Sequence, residues 1–456
     1  MSETNQPSSE TLLTQPVSRL FFQYFRSNLV SSLMLAVYVL FDTIFIGWGV
    51  GSQGLAALNI TLPCYSLEIG FAQMMGMGGA TALSICRGQG KKEEANSYFT
   101  AAVLFTCIFS LIIGIWGAVF WRPIAYLGGA DDSIIELVGQ YLRILNGGAI
   151  LFVVNNFLGV FIRNDHDPQR VMAAGIVSCL LNIVLDYVCI FLFNWGMAGA
   201  AGATAFSGFI SILIMLTHFK SKSCRLHLCF SDLQLFSRLK RICQNGVSSL
   251  IAECSAGLII LLFNIQLMNK GGVTAVTCYS IISNIAYLFL AVYNGASATL
   301  QPLCSVNLGA GCYQRVRQFF HLGVKTVLVA SGLFVLVGEL FPRVIVGIFT
   351  DPTPQVVSMA VYAIRIYFIA YLPMGINIIT STFHQSLESF REATLISLAR
   401  GLIFLVPALF LLGEVFGVNG IWATVPVCEG LTLLLSVLLL RRLFAARFPE
   451  ESSSAL

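Results

Sequence analysis

The chain has 456 residues, of which 57% are hydrophobic and only 11% are charged, with a formal net charge of +4. Soluble domains carry about 25% charged residues, so this composition excludes a soluble protein and indicates an integral membrane protein. The apolar runs are roughly 20 to 30 residues long, which fits membrane-spanning helices and is too long for the strands of a membrane barrel.

The first segment, 1–16, is polar and rich in Ser, Thr and Gln. It lacks the basic start and the apolar core of a signal peptide, so we expect a disordered cytoplasmic tail. The thirteen Cys form no Cys-x-x-Cys pair, and most of them lie inside apolar runs. We therefore expect small buried hydrophobic side chains there, rather than disulfides or a metal site.

Twelve apolar segments follow in chain order, and we number them as spans 1 to 12. They predict an all-α integral membrane protein with two six-helix lobes. The predicted spans are 20–49, 55–86, 95–121, 134–161, 169–193, 198–218, 241–269, 274–306, 315–341, 355–385, 392–413 and 418–440.

The basic residues are distributed unequally between the two sides of these spans. If successive spans cross the membrane in alternate directions, all but five of the 26 Lys and Arg residues fall on the same side of the membrane as the chain termini. Lys and Arg accumulate in cytoplasmic loops, so we expect both termini in the cytoplasm. The five exceptions are Arg122, Arg143, Lys270, Arg343 and Arg365.

The two halves of the chain repeat each other. A basic linker at 220–240 separates an N-lobe at 17–219 from a C-lobe at 241–442, and a second cytoplasmic tail follows at 443–456. An even number of spans in each half gives both lobes the same orientation, with a central cavity between them, as in transporters built from parallel repeats. At a constant offset of 221 residues, Gly88 matches Gly309, Gly90 matches Gly311, Tyr141 matches Tyr362, Arg170 matches Arg391, Gly196 matches Gly417 and Gly199 matches Gly420.

The repeat also separates scaffold residues from functional ones. Scaffold glycines recur in both halves, whereas the intramembrane polar residues of the N-lobe do not, so we place the functional polar cluster in the N-lobe. The C-lobe counterparts of Asp42, Asn182 and Asp186 are Phe263, Ile403 and Pro407.

Polar residues from three N-lobe spans lie at one depth. Asp42, Asp186 and Thr204 are each roughly 10–12 Å below the outer surface, and Asn182 shares a helical face with Asp186. Two neighbouring carboxylates cannot both ionise cheaply, so the pair either holds a proton or recruits a cation. With the oxygens of Asn182 and Thr204, the four residues are also a plausible Na⁺ site, and H⁺ and Na⁺ both stay open. The alternative is a structural Asp that hydrogen-bonds a neighbouring helix.

Four N-lobe residues are candidates for substrate binding. Glu68 lies near mid-depth in span 2, where it could neutralise a cationic substrate in the central cavity or simply join two helices. Tyr38 lies one turn before Asp42 and could donate a hydrogen bond to it. Gln73 and Met74 belong to a Met-rich run whose adaptable side chains suit varied substrates, although such runs also serve packing.

The C-lobe contributes one further candidate. Glu253 lies at or below mid-depth in span 7, where it could act as a counter-ion for a cationic substrate. Glu339, Glu414 and Glu429 are expected near span ends, in contact with water.

Several short motifs together resemble the multidrug and toxic compound extrusion (MATE) transporters over about residues 15–445. The pattern is specific as a set, and no single motif would suffice. The motifs are Asp42-Thr-Ile-Phe-Ile-Gly47, Gly78-Gly79-Ala80-Thr81, Arg163-Asn-Asp-His-Asp-Pro168, Asn182-Ile-Val-Leu-Asp186, Gly196-Met-Ala-Gly199, Glu253-Cys-Ser-Ala-Gly257, Gln301-Pro302 and Asn307-Leu-Gly-Ala-Gly311.

This resemblance implies a V of two six-helix lobes that expels substrate in exchange for entering Na⁺ or H⁺. It also implies an N-lobe ion site, which maps onto Asp42, Asn182, Asp186 and Thr204, the set that depth had already selected. In another branch of the family an acid on helix 7 does this work, and Glu253 lies on that helix.

We therefore expect a cation-coupled multidrug exporter of amphipathic, mostly cationic molecules in the bacterial inner membrane. It would be a monomer and not an enzyme, with no cofactor besides its coupling ion and no nucleic-acid partner. One alternative is a lipid-linked saccharide flippase, which would need a cationic cavity. Another is a membrane-embedded transferase, although the five His residues are scattered and no Walker A motif is present.

Overall fold

The structure is a computed structural model that describes residues 9–230, 234–349 and 354–447. Within these ranges the regular structure is entirely helical. The N-lobe contains Val17–Gly49, Ser52–Gly88, Lys92–Val119, Ile135–Gly147 with Ala149–Asn164, Pro168–Tyr187 continued by the π-helical turn Val188–Leu192, and Gly196–Leu216. The C-lobe contains Leu235–Gly309, Tyr313–Leu340, Pro354–Phe368 with Tyr371–Ser386, and Phe390–Leu398 continued by the π-helical turn Ala399–Ile403 and by Leu405–Arg447.

These helices make twelve spans, as expected. Eight are long and apolar enough to cross a membrane, and two pairs bent by 52° and 42° each add one more. Leu235–Gly309 has 75 residues and would measure about 110 Å if straight, far more than a bilayer of about 30 Å. It breaks at Gly272, and the stretch Phe390–Arg447 breaks at Gly417, so each of these two stretches supplies two spans.

The duplication is visible in the backbone. Left-handed φ angles recur at glycines spaced by 221 residues, where a side chain would be strained. The pairs are Gly51 with Gly272 (φ 87° and 65°), Gly90 with Gly311 (79° and 73°) and Gly196 with Gly417 (53° and 61°).

The two lobes meet on the side that carries the chain termini, which we call the terminal side. Spans 2 and 8 cross there so closely that a Cβ added to Gly309 would lie 2.2 Å from the Ile85 carbonyl oxygen. Asn28 donates to Thr299 across the same boundary at 3.0 Å. From this side the contact between the lobes continues along spans 2 and 7, where a Cβ on Gly78 would meet the Ile242 carbonyl and one on Gly257 would meet Ser66.

The N-terminal segment differs from the expectation of disorder. Ser9–Thr14 form a short helix, and Leu12 is fully buried against the C-lobe. Arg315 fixes it by donating to the backbone oxygens of Leu12 and Gln15, at 3.0 and 2.8 Å. Tertiary contacts therefore order this polar stretch, and the rest of the expected tail, residues 1–8, lies outside the described part.

The linker is shorter than expected because span 7 already begins at Leu235. Part of the linker packs on the N-lobe, where Leu226 is buried and the Cys229 backbone donates to Thr100 at 2.8 Å. At the other end the last helix continues to Arg447, beyond the expected start of the tail at 443. The remainder of that tail, 448–456, lies outside the described residues.

Candidate functional site

The structure brings the four predicted ion-site residues together inside the N-lobe. Asp42 comes from span 1, Asn182 and Asp186 from span 5, and Thr204 from span 6, and all four are buried. Asn182 donates from Nδ2 to the Thr204 hydroxyl at 3.4 Å. The carboxyl groups of Asp42 and Asp186 face each other, and the Asn182 amide adjoins Asp186 without donating a hydrogen bond to it.

The oxygens of this cluster lack the partners that buried polar atoms normally have. Asp42 Oδ1, both carboxyl oxygens of Asp186 and Asn182 Oδ1 are buried without a hydrogen bond. A buried carboxylate without a hydrogen-bond partner costs roughly several kcal/mol of stability, unless a proton or a bound cation neutralises it. The donor set consists of hard oxygen atoms, which also fits Na⁺.

Span 5 changes its winding immediately after the acid. The α-helix ends at Tyr187, one residue after Asp186, and continues as the π-helical turn Val188–Leu192. Isolated π turns inside α-helices occur frequently at functional sites. The π-helical turn therefore lies directly beside the position where Asp186 faces span 1.

Two tyrosines adjoin the cluster. The Tyr38 hydroxyl lies beside the Thr204 hydroxyl, rather than bonding Asp42 as its spacing suggested. Tyr141 is buried close to both acids. The sequence showed Tyr141 only as the repeat partner of Tyr362, which is half exposed in the structure, and gave no sign that the two differ.

Glu68 points into the N-lobe and not toward the central cleft. Ser66 and Gly70 form the face of span 2 that contacts span 7, and a residue midway between them projects to the opposite side of a helix with 3.6 residues per turn. Glu68 is only 2% exposed, and neither of its carboxyl oxygens has a hydrogen-bond partner. The expected position in the central cavity is therefore corrected to the N-lobe interior.

The other substrate candidates lie where spans 2 and 7 meet. The Glu253 Cβ lies 3.3 Å from where a Cβ of Gly70 would be. Gln73 is half-buried. The backbone of Met74 contacts span 7 at Gly246. A Cβ added to Gly246 would lie only 1.9 Å from the Met74 carbonyl oxygen. Glu253 and Met74 thus adjoin the boundary between the lobes.

The C-lobe holds a charged cluster that the sequence analysis misplaced. Glu429 is 4% exposed and lies inside span 12, not at a water-exposed end. Arg400, assigned to the terminal side from its position, reaches it with Nη2 at 2.8 Å from Oε1 and Nε at 3.0 Å. Asn377 donates to Glu429 Oε2 at 2.7 Å. Glu339 and Glu414 are exposed, as expected.

A second network of buried charges closes the terminal side of the N-lobe. Asp165 accepts from Arg87 at 2.6 Å, and its other oxygen pairs with His218 Nε2 at 2.7 Å. The opposite nitrogen of His218 contacts Asp167 at 3.1 Å. Burial opposes protonation of His218, but the hydrogen bonds to the two Asp residues outweigh it and raise the pKa of His218 above its ordinary value.

Asp165, His218 and Cys224 are close enough together to hold a metal ion. Their ligand atoms are already engaged, however, because one oxygen of Asp165 bonds Arg87 and the other bonds His218 and the Arg225 backbone. A guanidinium beside the same carboxylate also repels a second cation. We therefore interpret the cluster as an ion-pair network.

The sequence model of the MatE family matches residues 28–188 and 248–410 of this chain. It covers both lobes and includes Asp42, Asn182 and Asp186. The expected resemblance is thus confirmed by the match, and the twelve helices and two lobes agree with it.

Individual proteins are similar over nearly the whole chain. The multidrug export protein MepA of Staphylococcus saprophyticus is 24% identical over 90% of each chain. The FAD transporter of Shewanella oneidensis is 25% identical over 91% of this chain and 92% of its own. A solved multidrug resistance MATE transporter in an outward-facing conformation superposes with a TM-score of 0.89, at 21% identity, over 98% of this chain and all of the other. These relatives are named as transporters, so the expectation that the chain is not an enzyme is confirmed.

Proposed function

This chain belongs to the MatE family of membrane transporters, and from that premise we propose that it exports amphipathic, mostly cationic small molecules in exchange for H⁺ or Na⁺. The observation that carries the proposal is the buried pair Asp42 and Asp186, in which Asp42 Oδ1 and both carboxyl oxygens of Asp186 have no hydrogen-bond partner. A site of this kind must take up and release a cation as the lobes open alternately to the two sides. Multidrug export is the activity in the name of the staphylococcal relative.

The ion site in this proposal consists of Asp42, Asn182, Asp186 and Thr204, with either H⁺ or Na⁺ as the coupling ion. The candidates for substrate contact are Tyr38 and Glu68 in the N-lobe interior, together with Gln73, Met74 and Glu253 nearer the boundary between the lobes. We further propose that the protein works as a monomer in the bacterial inner membrane with both termini in the cytoplasm, which the surplus of basic residues on the terminal side supports.

The name of the Shewanella relative points to a second substrate class, an anionic dinucleotide. A lipid-linked saccharide flippase would likewise handle anionic phosphates. Both would require unpaired cations within the membrane. The partnerless acids Asp42, Glu68 and Asp186 lie inside the N-lobe, whereas the partly unpaired Arg87 and Arg163 lie in the last turns of their helices on the terminal side, and Arg400 in the C-lobe is paired with Glu429. The charges therefore favour cationic substrates.

The test is efflux from proteoliposomes under H⁺ and Na⁺ gradients imposed separately. We expect one inwardly directed gradient to accelerate efflux of an organic cation, while FAD is not moved. Efflux that responds to neither gradient would contradict coupled antiport, and gradient-driven movement of FAD would replace the proposed substrate class.

Glu253→Gln should narrow the substrate range while leaving ion dependence intact. Glu253 adjoins the boundary between the lobes, where a carboxylate attracts cationic substrates. The measurement compares efflux of a cationic and a neutral substrate at a fixed gradient. Equal loss for both would assign Glu253 to ion coupling or to helix packing instead.

Asn182→Ala and Thr204→Ala should weaken ion binding without loss of folding. Each removes one neutral oxygen from a site that the acids hold, which costs roughly 1–3 kcal/mol. This corresponds to about one to two decades in the ion concentration that gives half-maximal efflux.

Polar substitutions at the C-lobe counterparts Phe263, Ile403 and Pro407 are the matched controls. They should disturb packing but leave the half-maximal ion concentration unchanged, because no partnerless acid pair faces them. A shift in the controls, with none for Asn182→Ala or Thr204→Ala, would move the ion site to the other lobe.

A further inference from the structure

The C-lobe cluster has the same kinds of group as the N-lobe ion site. Glu429 supplies a carboxylate, Asn377 an amide and Ser436 a hydroxyl, which donates to Asn377 Oδ1 at 2.9 Å. All three are buried. In each lobe the cluster also adjoins a π-helical turn in the fifth span, at Val188–Leu192 and at Ala399–Ile403.

The two clusters differ in what satisfies the oxygens. In the N-lobe, both oxygens of Asp186 lack a partner. In the C-lobe, Arg400 donates to both oxygens of Glu429, with Nε 3.0 Å from Oε1 and 3.1 Å from Oε2. A guanidinium is charged at every physiological pH, and here it approaches its carboxylate from the π turn itself.

We propose that Glu429 and Asn377 form a monovalent-cation site in the C-lobe, which Arg400 fills permanently as a tethered cation. The inference rests on the proposed function, because it treats the N-lobe site as the exchangeable counterpart. A tethered cation cannot leave when the lobes move. The C-lobe therefore binds a cation without exchanging it, and coupling stays with Asp42 and Asp186.

Among the described residues, few other titratable groups interact electrostatically with Glu429. Besides Arg400 on span 11, these are Tyr293 on span 8, Tyr367 on span 10 and the neighbouring Cys428. None of the three is a permanent cation. Once Arg400 is neutralised, Glu429 must therefore obtain a proton or a metal cation from solution, since an uncompensated buried charge is strongly unfavourable.

An ordinary structural ion pair makes a different prediction. Removing its cation would leave a buried carboxylate that a proton can neutralise at low pH, but Na⁺ would restore no more stability than choline does. A cation site would instead be refilled, and the stability of the variant would depend on the concentration of the replacing ion. Cation-dependent stability is therefore the readout that separates the two roles.

The experiment uses the full chain in detergent, with Asp42→Asn and Asp186→Asn present throughout to silence the N-lobe site. Melting temperature is measured for Arg400→Gln in a NaCl series against choline chloride at fixed pH, and in a pH series without Na⁺. We expect a rise of about 2–5 °C with Na⁺ over choline, whereas a rise at low pH reports protonation of Glu429 and occurs for either role. Arg400→Lys, which keeps a tethered cation, and the double change Arg400→Gln with Glu429→Gln should show neither rise.

A melting temperature of Arg400→Gln that does not rise with Na⁺ over choline, whether or not it responds to pH, would overturn the proposal. So would failure to recover Arg400→Gln in high NaCl when the double change is recovered there. The readout is stability and involves no transport. If Na⁺ does not stabilise Arg400→Gln, the N-lobe coupling proposal is therefore unaffected. Conversely, a failure of gradient-driven efflux would not by itself abolish the effect of Na⁺ on stability.

Discussion

Asp42→Asn and Asp186→Asn are each expected to reduce gradient-driven efflux to background while the protein still inserts into the membrane. The two carboxyl groups face each other in a buried site, where Asp42 Oδ1 and both oxygens of Asp186 have no hydrogen-bond partner. An amide cannot bind an exchangeable proton, and it leaves a Na⁺ site with one negative charge fewer. Either change thus removes the cation whose movement would drive export.

Insertion should survive because neutralising an intramembrane acid lowers the cost of placing its helix in lipid. An ionised Asp at the centre of a span costs about 2.5–3.5 kcal/mol on insertion scales. Glu414→Gln is the matched control, since Glu414 is exposed beside Lys270 at the far end of its helix. The measurement is proteoliposome efflux per amount of reconstituted protein. If both Asp variants kept unchanged gradient-driven efflux, the N-lobe acid pair would not be the site of ion coupling.

Asp165→Asn is expected to cost about 3–5 kcal/mol of stability, the range for breaking a buried ion pair by removing one partner. Asp165 is fully buried and holds Arg87 and His218 together at 2.6 and 2.7 Å. The exposed pair of Arg122 with Glu136 is the control, because Glu136→Gln should produce no measurable change. Denaturant unfolding in detergent provides the comparison, and equal effects of the two changes would contradict the importance of the buried network.

The same network predicts a pH dependence of stability. His218 has a raised pKa in the folded protein, so its contribution is complete below the unfolded value of about 6.5 and is lost as pH rises through the folded pKa. Asp165 has a pKa lowered to about 2, despite its burial, by His218 and Arg87. Its contribution is therefore lost only as pH falls from about 4 toward 2. Wild-type stability should decline above about pH 6.5, and His218→Gln should remove that decline.

The sequence predicted that Asp42, Asp186 and Thr204 lie at one level, because helix geometry fixes the depth of each residue in its span. Depth along a span follows from counting residues at about 1.5 Å each, and Asp42, Asp186 and Thr204 share one level. Counting residues gives the depth of a side chain, but it does not show which face of each helix is turned toward its neighbours. Tyr141 was therefore not assigned to the site, and Glu68 was directed to the wrong side of span 2.

The C-lobe cluster was missed for a different reason. Glu429 lies twelve residues beyond the break at Gly417, about 18 Å into span 12, so its depth alone argued against a water-exposed end. Arg400 is a long side chain on the terminal half of span 11, and such residues usually extend toward the membrane surface. Only the folded arrangement shows that it turns inward to Glu429.

The short N-terminal helix could not be read from composition either. Ser9–Thr14 are too few to form a stable helix alone, since isolated helices below about 12 residues are marginal in water. Burial of Leu12 and the two bonds from Arg315 stabilise it, and these contacts join residues about three hundred positions apart.

Reverse transport tests the central claim most directly, because coupling between substrate and ion must act in both directions. Proteoliposomes are loaded with buffer and exposed to an organic-cation gradient without any imposed ion gradient, and H⁺ and Na⁺ movement is recorded. The wild-type protein should move one of these ions against the direction of the substrate, and the protein carrying Asp42→Asn and Asp186→Asn should move neither. Ion movement of equal size in both proteins, or none in the wild type, would contradict exchange at the N-lobe acid pair.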